Sequence, residues 1–147
     1  MKTKRFLMAA ILIFATVFVV KADNDKPIDF SQLPETSKVF IKKYFNEKDI
    51  SFAKEERDFF SKSYDVVFVN GTKVEFDKKG NWENVDCLKQ EVPAGIVPAP
   101  IVDYVANKHL NQKIVKIERD RRDYEIELDN NIEIKFDLKF RVIEYDN

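Results

Sequence analysis

Few residues in this chain could do chemistry, since it has one histidine, His109, and one cysteine, Cys87. A protein zinc site takes three or four ligands, which a lone histidine without a cysteine cluster does not supply. Covalent or acid–base catalysis needs a nucleophile or base within a converging set of groups, and no Ser or Cys has that setting. We therefore predict a protein that is not an enzyme, with no catalytic residue, no metal site and no cofactor.

Both residues have a structural explanation. His109 falls near the end of a predicted helix, where we expect it on the surface or in half-buried packing. Cys87 follows Asp86, whereas a reactive thiol needs nearby cations or a helix N-terminus to lower its pKa. We expect a structural thiol at Cys87, with an intermolecular disulfide as the alternative.

The segment 123–137, "DYEIELDNNIEIKFD", is rich in acids and raises the question of calcium. Calcium loops place several oxygen ligands around a tight turn. Here Asp129 is followed by two asparagines, and no second acid comes directly after them. Strict alternation instead predicts a strand with one solvated face, which accounts for Glu125, Glu127, Glu133 and Lys135.

A 24-residue stretch that begins at Tyr64 returns in similar form at Tyr124, with apolar positions and turn residues in the same phase. Asn70-Gly71 and Asn130-Asn131 mark hairpins between alternating segments. Each copy follows a segment with a helical apolar stripe, and the two prolines Pro34 and Pro98 suit helix starts. We predict an α+β fold in which two tandem repeats, each a helix plus a four-stranded antiparallel sheet, together form an eight-stranded sheet with both helices on one face.

The repeat pattern also predicts the core. Phe40, Ile41 and Tyr44 form an apolar stripe on the first helix, and the second helix carries an equivalent stripe. Phe76 and Phe136 occupy matching strand positions sixty residues apart. We expect both phenylalanines to be buried between the sheet and the helices.

The N-terminus has the pattern of a secretory signal peptide, with basic residues ahead of an apolar run from Phe6 to Val20. The run is shorter than the roughly 20 residues of a membrane-spanning helix, which favours cleavage over an uncleaved anchor. We predict a signal peptide at 1–22 and one domain at 23–147, made of repeats at about 28–88 and 93–147. The mature protein should be periplasmic or secreted, and free of the membrane.

Charge limits the range of partners. Without residues 1–22 the chain has 21 basic and 26 acidic residues, and the two signs are interleaved. Such a chain repels phosphate backbones, so we expect no nucleic acid partner. A single cysteine allows no internal disulfide, and packing must stabilise the fold. We expect a monomer whose partner is a protein or peptide.

The run "FDKKGNWENVDC", Phe76 to Cys87, together with the Leu-Pro helix start and the Asn-Gly hairpin, resembles the PepSY-like family of secreted proteins, which have a β-lactamase-inhibitor-like fold. The resemblance covers essentially the whole mature chain and implies two helix-plus-four-strand repeats behind a signal peptide. The second copy departs from it, because Phe140 replaces Gly80 and Val142 replaces Trp82. The resemblance implies a periplasmic protein that inhibits or modulates secreted enzymes, and some members carry a calcium-regulated label.

Residue parity predicts where a partner would bind. Helices cover one face of the sheet, so strand positions in phase with the acids should form the other face. An apolar group on such a charged face is typical of a binding hot spot. For Trp82 the alternative is that it caps the core beside a helix. The predicted protein-binding residues are Val67, Val69, Trp82, Arg141, Ile143 and Tyr145. We thus predict a non-catalytic binding protein, an inhibitor or modulator of a secreted enzyme through its open sheet face, with a ligand- or calcium-responsive sensor as the alternative.

Overall fold

The computed structural model describes residues 24–146, so the predicted signal peptide lies outside the described residues. These residues form one nine-stranded antiparallel sheet whose strands follow one another in chain order, with two helices. The strands are β1 (Lys26–Ile28), β2 (Ile50–Arg57), β3 (Lys62–Phe68), β4 (Lys73–Phe76), β5 (Trp82–Asp86), β6 (Ile114–Arg119), β7 (Asp123–Leu128), β8 (Glu133–Asp137) and β9 (Val142–Asp146). The helices are α1 (Glu35–Tyr44), between β1 and β2, and α2 (Ala99–Lys108), between β5 and β6.

The predicted fold class is wrong. The protein is mostly sheet, and its nine strands do not form two units of one helix and four strands. The strand missing from the prediction is β1, which precedes α1 and pairs with β2 from Lys26↔Glu55 to Ile28↔Ala53. Three residues that include a proline carry no alternation to detect, and proline is tolerated in a strand chiefly at a sheet edge.

The core lies between the helices and one face of the sheet, and it is centred on two phenylalanines. Phe76 and Phe136 are both fully buried. An aromatic ring from a helix packs edge-on against each of them. The centroid distance is 5.7 Å between Phe40 and Phe76 and 5.4 Å between Tyr104 and Phe136. The prediction that these two side chains are buried between sheet and helices is confirmed. Ile41 of α1 and Ile101 of α2 belong to the same continuous core.

The hairpin predicted at Asn70-Gly71 is present, but its turn is longer than the two-residue type. The Phe68 N–H donates to the Thr72 carbonyl and the Gly71 N–H donates to the Phe68 carbonyl, which makes a three-residue connection. Gly71 has φ +88, a conformation that glycine adopts without steric cost. The β7–β8 hairpin uses Asn131 at φ 66 in the same role, as asparagine tolerates this region.

Gly80 explains the Gly-x-Trp corner of the β4–β5 turn. Its φ is +86, and a Cβ placed there would lie 2.7 Å from both Pro34 Cβ and Ser37 Oγ. The buried Ser37 hydroxyl donates to the Gly80 carbonyl at 3.2 Å. The turn therefore packs directly against the start of α1, and a side chain at this position would push the two apart.

Candidate binding face

The sheet face without helices is a surface of charged side chains. One row of cross-strand partners crosses it from β2 to β9, and it consists of Lys54, Asp65, Glu75, Asn84, Glu118, Glu125, Lys135 and Glu144. A second row runs beside it and consists of Val67, Lys73, Asp86, Lys116, Glu127, Glu133 and Asp146. We call these two rows the acidic face, because they contain nine acids and four lysines.

The part of the acidic face on β2–β4 is neutralised by ion pairs. Asp65 is buried and lies 2.9 Å from Lys73 Nζ and 3.5 Å from Lys54 Nζ. Hydrogen bonds to Asp25 and Glu56 raise the pKa of Lys54, so it stays charged. Each charge here has an opposite charge beside it, so the net electrostatic field over this part of the acidic face is small.

The part on β7–β9 carries a row of adjacent acids, and Lys116 of β6 stands opposite the first of them, Glu127. Glu127 stands directly opposite Glu133 across β7 and β8, and Glu133 stands opposite Asp146 across β8 and β9. Like charges directly opposite one another destabilise a strand pair. Lys135 lies in the other row, 3.0 Å from Glu125 and 3.6 Å from Glu144. A cation placed between Glu127 and Glu133 would offset their repulsion.

A shallow groove of about 340 Å³ lies across the middle of the acidic face, over β4 to β7. Asn84 Oδ1 is buried there and has no hydrogen-bond donor among the described residues. Glu83 is exposed, and its partial desolvation, with the nearby charges of Asp77 and Glu75, raises its pKa. The groove is lined by Glu75, Glu83, Asn84, Glu118, Arg119, Asp120, Asp123, Glu125 and Lys135. Six of these nine residues are acids and two are cations, so the groove favours positive charge.

Trp82 lies on the other side of the sheet. It is the cross-strand partner of the buried Phe76, and its ring centroid is 6.3 Å from that of Phe40 on α1. The Arg119 guanidinium sits 4.0 Å above the indole, and its Nε donates to the Trp82 carbonyl at 2.7 Å. This placement matches the alternative in which Trp82 caps the core beside a helix.

Tyr145 also faces the helices, because its cross-strand partner is the fully buried Ile134. Its ring stacks on that of His109, which caps the C-terminus of α2, at a centroid distance of 5.8 Å. Arg141 precedes β9, and its Nη2 lies 2.6 Å from Asp137 Oδ2 within a turn. Ile143 is 56% exposed at a register shift in β9.

The remaining two predicted residues lie in the first half of the sheet. Val67 is on the acidic face, opposite Lys73 and beside the exposed Phe52. Val69 follows β3 and is 71% exposed. The structure therefore does not gather the six predicted residues on one surface. Their parity was miscounted because register shifts at Glu75/Phe76 and Lys135/Phe136 change which side the following residues face.

From the sequence, the acids were predicted to form a solvated strand face. The row that they form across neighbouring strands was not predicted. The alternation of Glu125 and Glu127 was visible, but their alignment with Glu133 and Asp146 depends on strand register. Within residues 24–146, no three His, Cys, Asp or Glu side chains converge in a way that could hold a metal ion. Cys87 is buried, as expected of a structural thiol, and burial raises the pKa of its thiol.

Comparison with known proteins identifies relatives of similar fold and location. The sequence profile described as "putative beta-lactamase-inhibitor-like, PepSY-like" matches residues 62–144. A structure described as a "putative periplasmic protein" from Bacteroides vulgatus is 52% identical, with a TM-score of 0.82 over 86% of this chain and 99% of its own. A structure described as a "putative calcium-regulated periplasmic protein" from Bacteroides thetaiotaomicron is 53% identical, with a TM-score of 0.81 over 84% of this chain and 97% of its own.

A further structure from Bacteroides vulgatus, described as a "putative periplasmic protein of unknown function", is 34% identical. Its TM-score is 0.79 over 84% of this chain and 99% of its own. No curated protein matches the chain. None of the described helices has the length and apolar character needed to cross a membrane.

Proposed function

The chain belongs to the PepSY-like family of periplasmic and secreted proteins, and from that premise we propose that it is a non-catalytic binding protein whose acidic face recognises a basic surface of another secreted protein. The protein itself is periplasmic or secreted, as its relatives are. The bound protein would be a secreted enzyme that is inhibited or modulated by the contact.

The observation that carries this proposal is the row of acids on β7 to β9, in which Glu127 and Glu133 stand directly opposite each other. Opposed acids lower the stability of the sheet, so a basic side chain placed over them contributes to affinity by relieving that repulsion. Complementary charge also accelerates encounter and excludes partners of the wrong sign. The proposal therefore specifies a partner with clustered Lys or Arg.

The groove beside this row supports the same partner chemistry. Asn84 Oδ1 accepts no hydrogen bond within the described residues, and an unmade hydrogen bond at a buried acceptor costs free energy. A Lys or Arg side chain that reaches into the groove would donate to Asn84 and meet the carboxylates of Glu118 and Glu125. The proposed contact thus combines a charged rim with one specific hydrogen bond.

The family description supports the modulator role by analogy of fold. A surface without a converging acid, base and nucleophile favours recognition over catalysis. Neither argument identifies the partner, which the proposal specifies only by its basic charge.

The test is capture of periplasmic proteins by the wild type and by the double variant Glu127→Gln/Glu133→Gln. Two exposed charge pairs are worth up to roughly 1 kcal/mol each, so the double variant should bind its partner about tenfold more weakly. The matched control is Glu91→Gln, which removes an exposed acid outside the sheet.

The captured protein should be basic, and its binding should weaken as salt concentration rises. An acidic partner, or one whose affinity is the same for the wild type and the double variant, would contradict the proposal.

A calcium-responsive protein is the second candidate, because a relative that is 53% identical is described as calcium-regulated and the groove is lined by oxygen-bearing side chains. The absence of a converging metal-ligand group among residues 24–146 counts against it. Calcium binding would raise the melting temperature of the protein, since it would act on the folded state.

A further inference from the structure

The strand β9 lies at one edge of the sheet that the described residues form. Among residues 24–146, β9 pairs with β8 alone, and all five of its residues are exposed. The edge of a sheet presents a row of unpaired backbone N–H and C=O groups. The opposite edge is β1, which is three residues long and contains Pro27, so it offers a poor template.

The two sides of β9 differ in chemistry. On the helix side lie Val142 and Tyr145, which are 38% and 46% exposed. On the other side lie Glu144 and Asp146, which continue the two rows of the acidic face. A strand added to β9 would therefore meet apolar side chains on one side and carboxylates on the other.

We propose that an extended segment of the partner protein, in which apolar and basic residues alternate, adds to β9 as a tenth strand. The proposal rests on the proposed function and specifies how the partner is held. Backbone hydrogen bonds along β9 would contribute affinity, and the alternating side chains would contribute specificity. The apolar residues would pack on Val142 and Tyr145, and the basic residues would pair with Glu144.

Charge argues against a second copy of this chain as the occupant. The β9 of a second copy would bring its own Glu144 and Asp146 to the same side of the sheet, next to an acidic row. Like charges on adjacent strands are destabilising, whereas Lys or Arg at these positions is complementary. The length of the site, five residues or about 17 Å, fits a short extended segment.

The probe is a synthetic seven-residue peptide of alternating Lys and Val, blocked at both ends, whose binding to the full chain is followed by fluorescence anisotropy. Two modified peptides carry N-methyl groups on the Lys amides or on the Val amides. In a paired strand the N–H groups of alternate residues face the neighbouring strand, so methylation of one set alone blocks pairing.

We expect one methylated peptide to bind about as well as the unmodified peptide and the other to bind at least roughly tenfold more weakly. Glu144→Lys should weaken binding of the unmodified peptide, whereas Glu91→Gln should not. Hydrogen exchange should show protection of the β9 amides on binding, and none at β1. Equal affinities for the two methylated peptides, or no binding of the unmodified one, would overturn the proposal.

The failure of this proposal can be told apart from failure of the proposed function. If methylation of the peptide does not change its affinity but partner capture still depends on Glu127 and Glu133, the proposal of a tenth strand is wrong. The proposal that the acidic face binds the partner is then retained. If partner binding depends on the β9 edge but is unchanged by substitution of Glu127 and Glu133, the proposed role of the acidic face is wrong. If the chain dimerises and dimerisation competes with peptide binding, the β9 edge binds a second copy of the chain. That result would overturn the proposal that a partner segment occupies the edge.

Discussion

Single residues of the core were the most predictable part of this protein. Phe76 and Phe136 were identified as buried from their matching positions in alternating segments, and both are fully buried. Their environment is strongly constrained, because each must point to the helix side and each is met by an aromatic ring. Surface residues such as Tyr145 lack that constraint, and their side of the sheet depends on a bulge that composition does not reveal.

Truncation of either core phenylalanine should strongly destabilise the fold. Phe136→Ala removes a fully buried ring and leaves a cavity, so we expect the free energy of unfolding to fall by about 3–5 kcal/mol in urea titration. Phe76→Ala should behave alike. Phe60→Ala is the matched control, since Phe60 is fully exposed and its loss should change stability little. A marginal effect at both core positions would mean that the core is misassigned.

Glu83 should make a pH-dependent contribution to stability. Partial desolvation and nearby acids raise its folded-state pKa above the ordinary value of 4.5, so its ionised form is disfavoured by folding. This cost is present above the folded-state pKa and is lost as pH falls below 4.5. Glu83→Gln should therefore raise the thermal unfolding midpoint at neutral pH, with the gain disappearing near about pH 3. An equal gain at both pH values would contradict this origin.

At the scale of elements, helices and hairpins were predictable and strand register was not. The helix starts at Pro34 and Pro98 and the turn at Gly71 follow from local chemistry that a few residues display. The strand β1 was missed because Lys26–Ile28 has no periodicity and depends on its partner β2 for its conformation. The acidic row likewise depends on how β7, β8 and β9 align, which is set by turns and bulges between them.

The opposed acids on these strands should cost stability that a single substitution recovers. Glu133→Lys converts the like-charge pair with Glu127 into an attractive pair. We expect the free energy of unfolding to rise by roughly 0.5 kcal/mol, with a smaller gain at high salt. Glu91→Lys, which changes the same net charge away from the sheet, is the control. A loss of stability in Glu133→Lys would show that the row is not under repulsion.

At the scale of the whole molecule, the family and the periplasmic or secreted location were predictable. The family was predicted from the run 76–87, which lies within the matched residues 62–144, and the location from the N-terminal pattern and the family resemblance. The fold class was not, because one short edge strand changes the strand count from eight to nine. The binding residues were inferred from parity across a whole sheet, so each bulge displaced some of them.

Calcium should not hold this molecule together. With no converging ligand group in residues 24–146, removal of calcium by a chelator should leave the melting temperature unchanged in calorimetry. Addition of millimolar calcium should likewise have no effect beyond that of magnesium. A chelator-induced fall of several degrees would instead support the calcium-responsive function.

The central claim is that the acidic face is the surface that binds, and amide chemical-shift mapping tests it most directly. The alternating Lys and Val peptide, or the captured partner, is titrated into the isotopically labelled protein. We predict that shifts concentrate on β6 to β9, around Glu127 and Glu133, and that the Glu127→Gln/Glu133→Gln variant needs about tenfold more ligand to reach the same shifts. Shifts confined to α1 and α2, or unchanged in that variant, would contradict the claim.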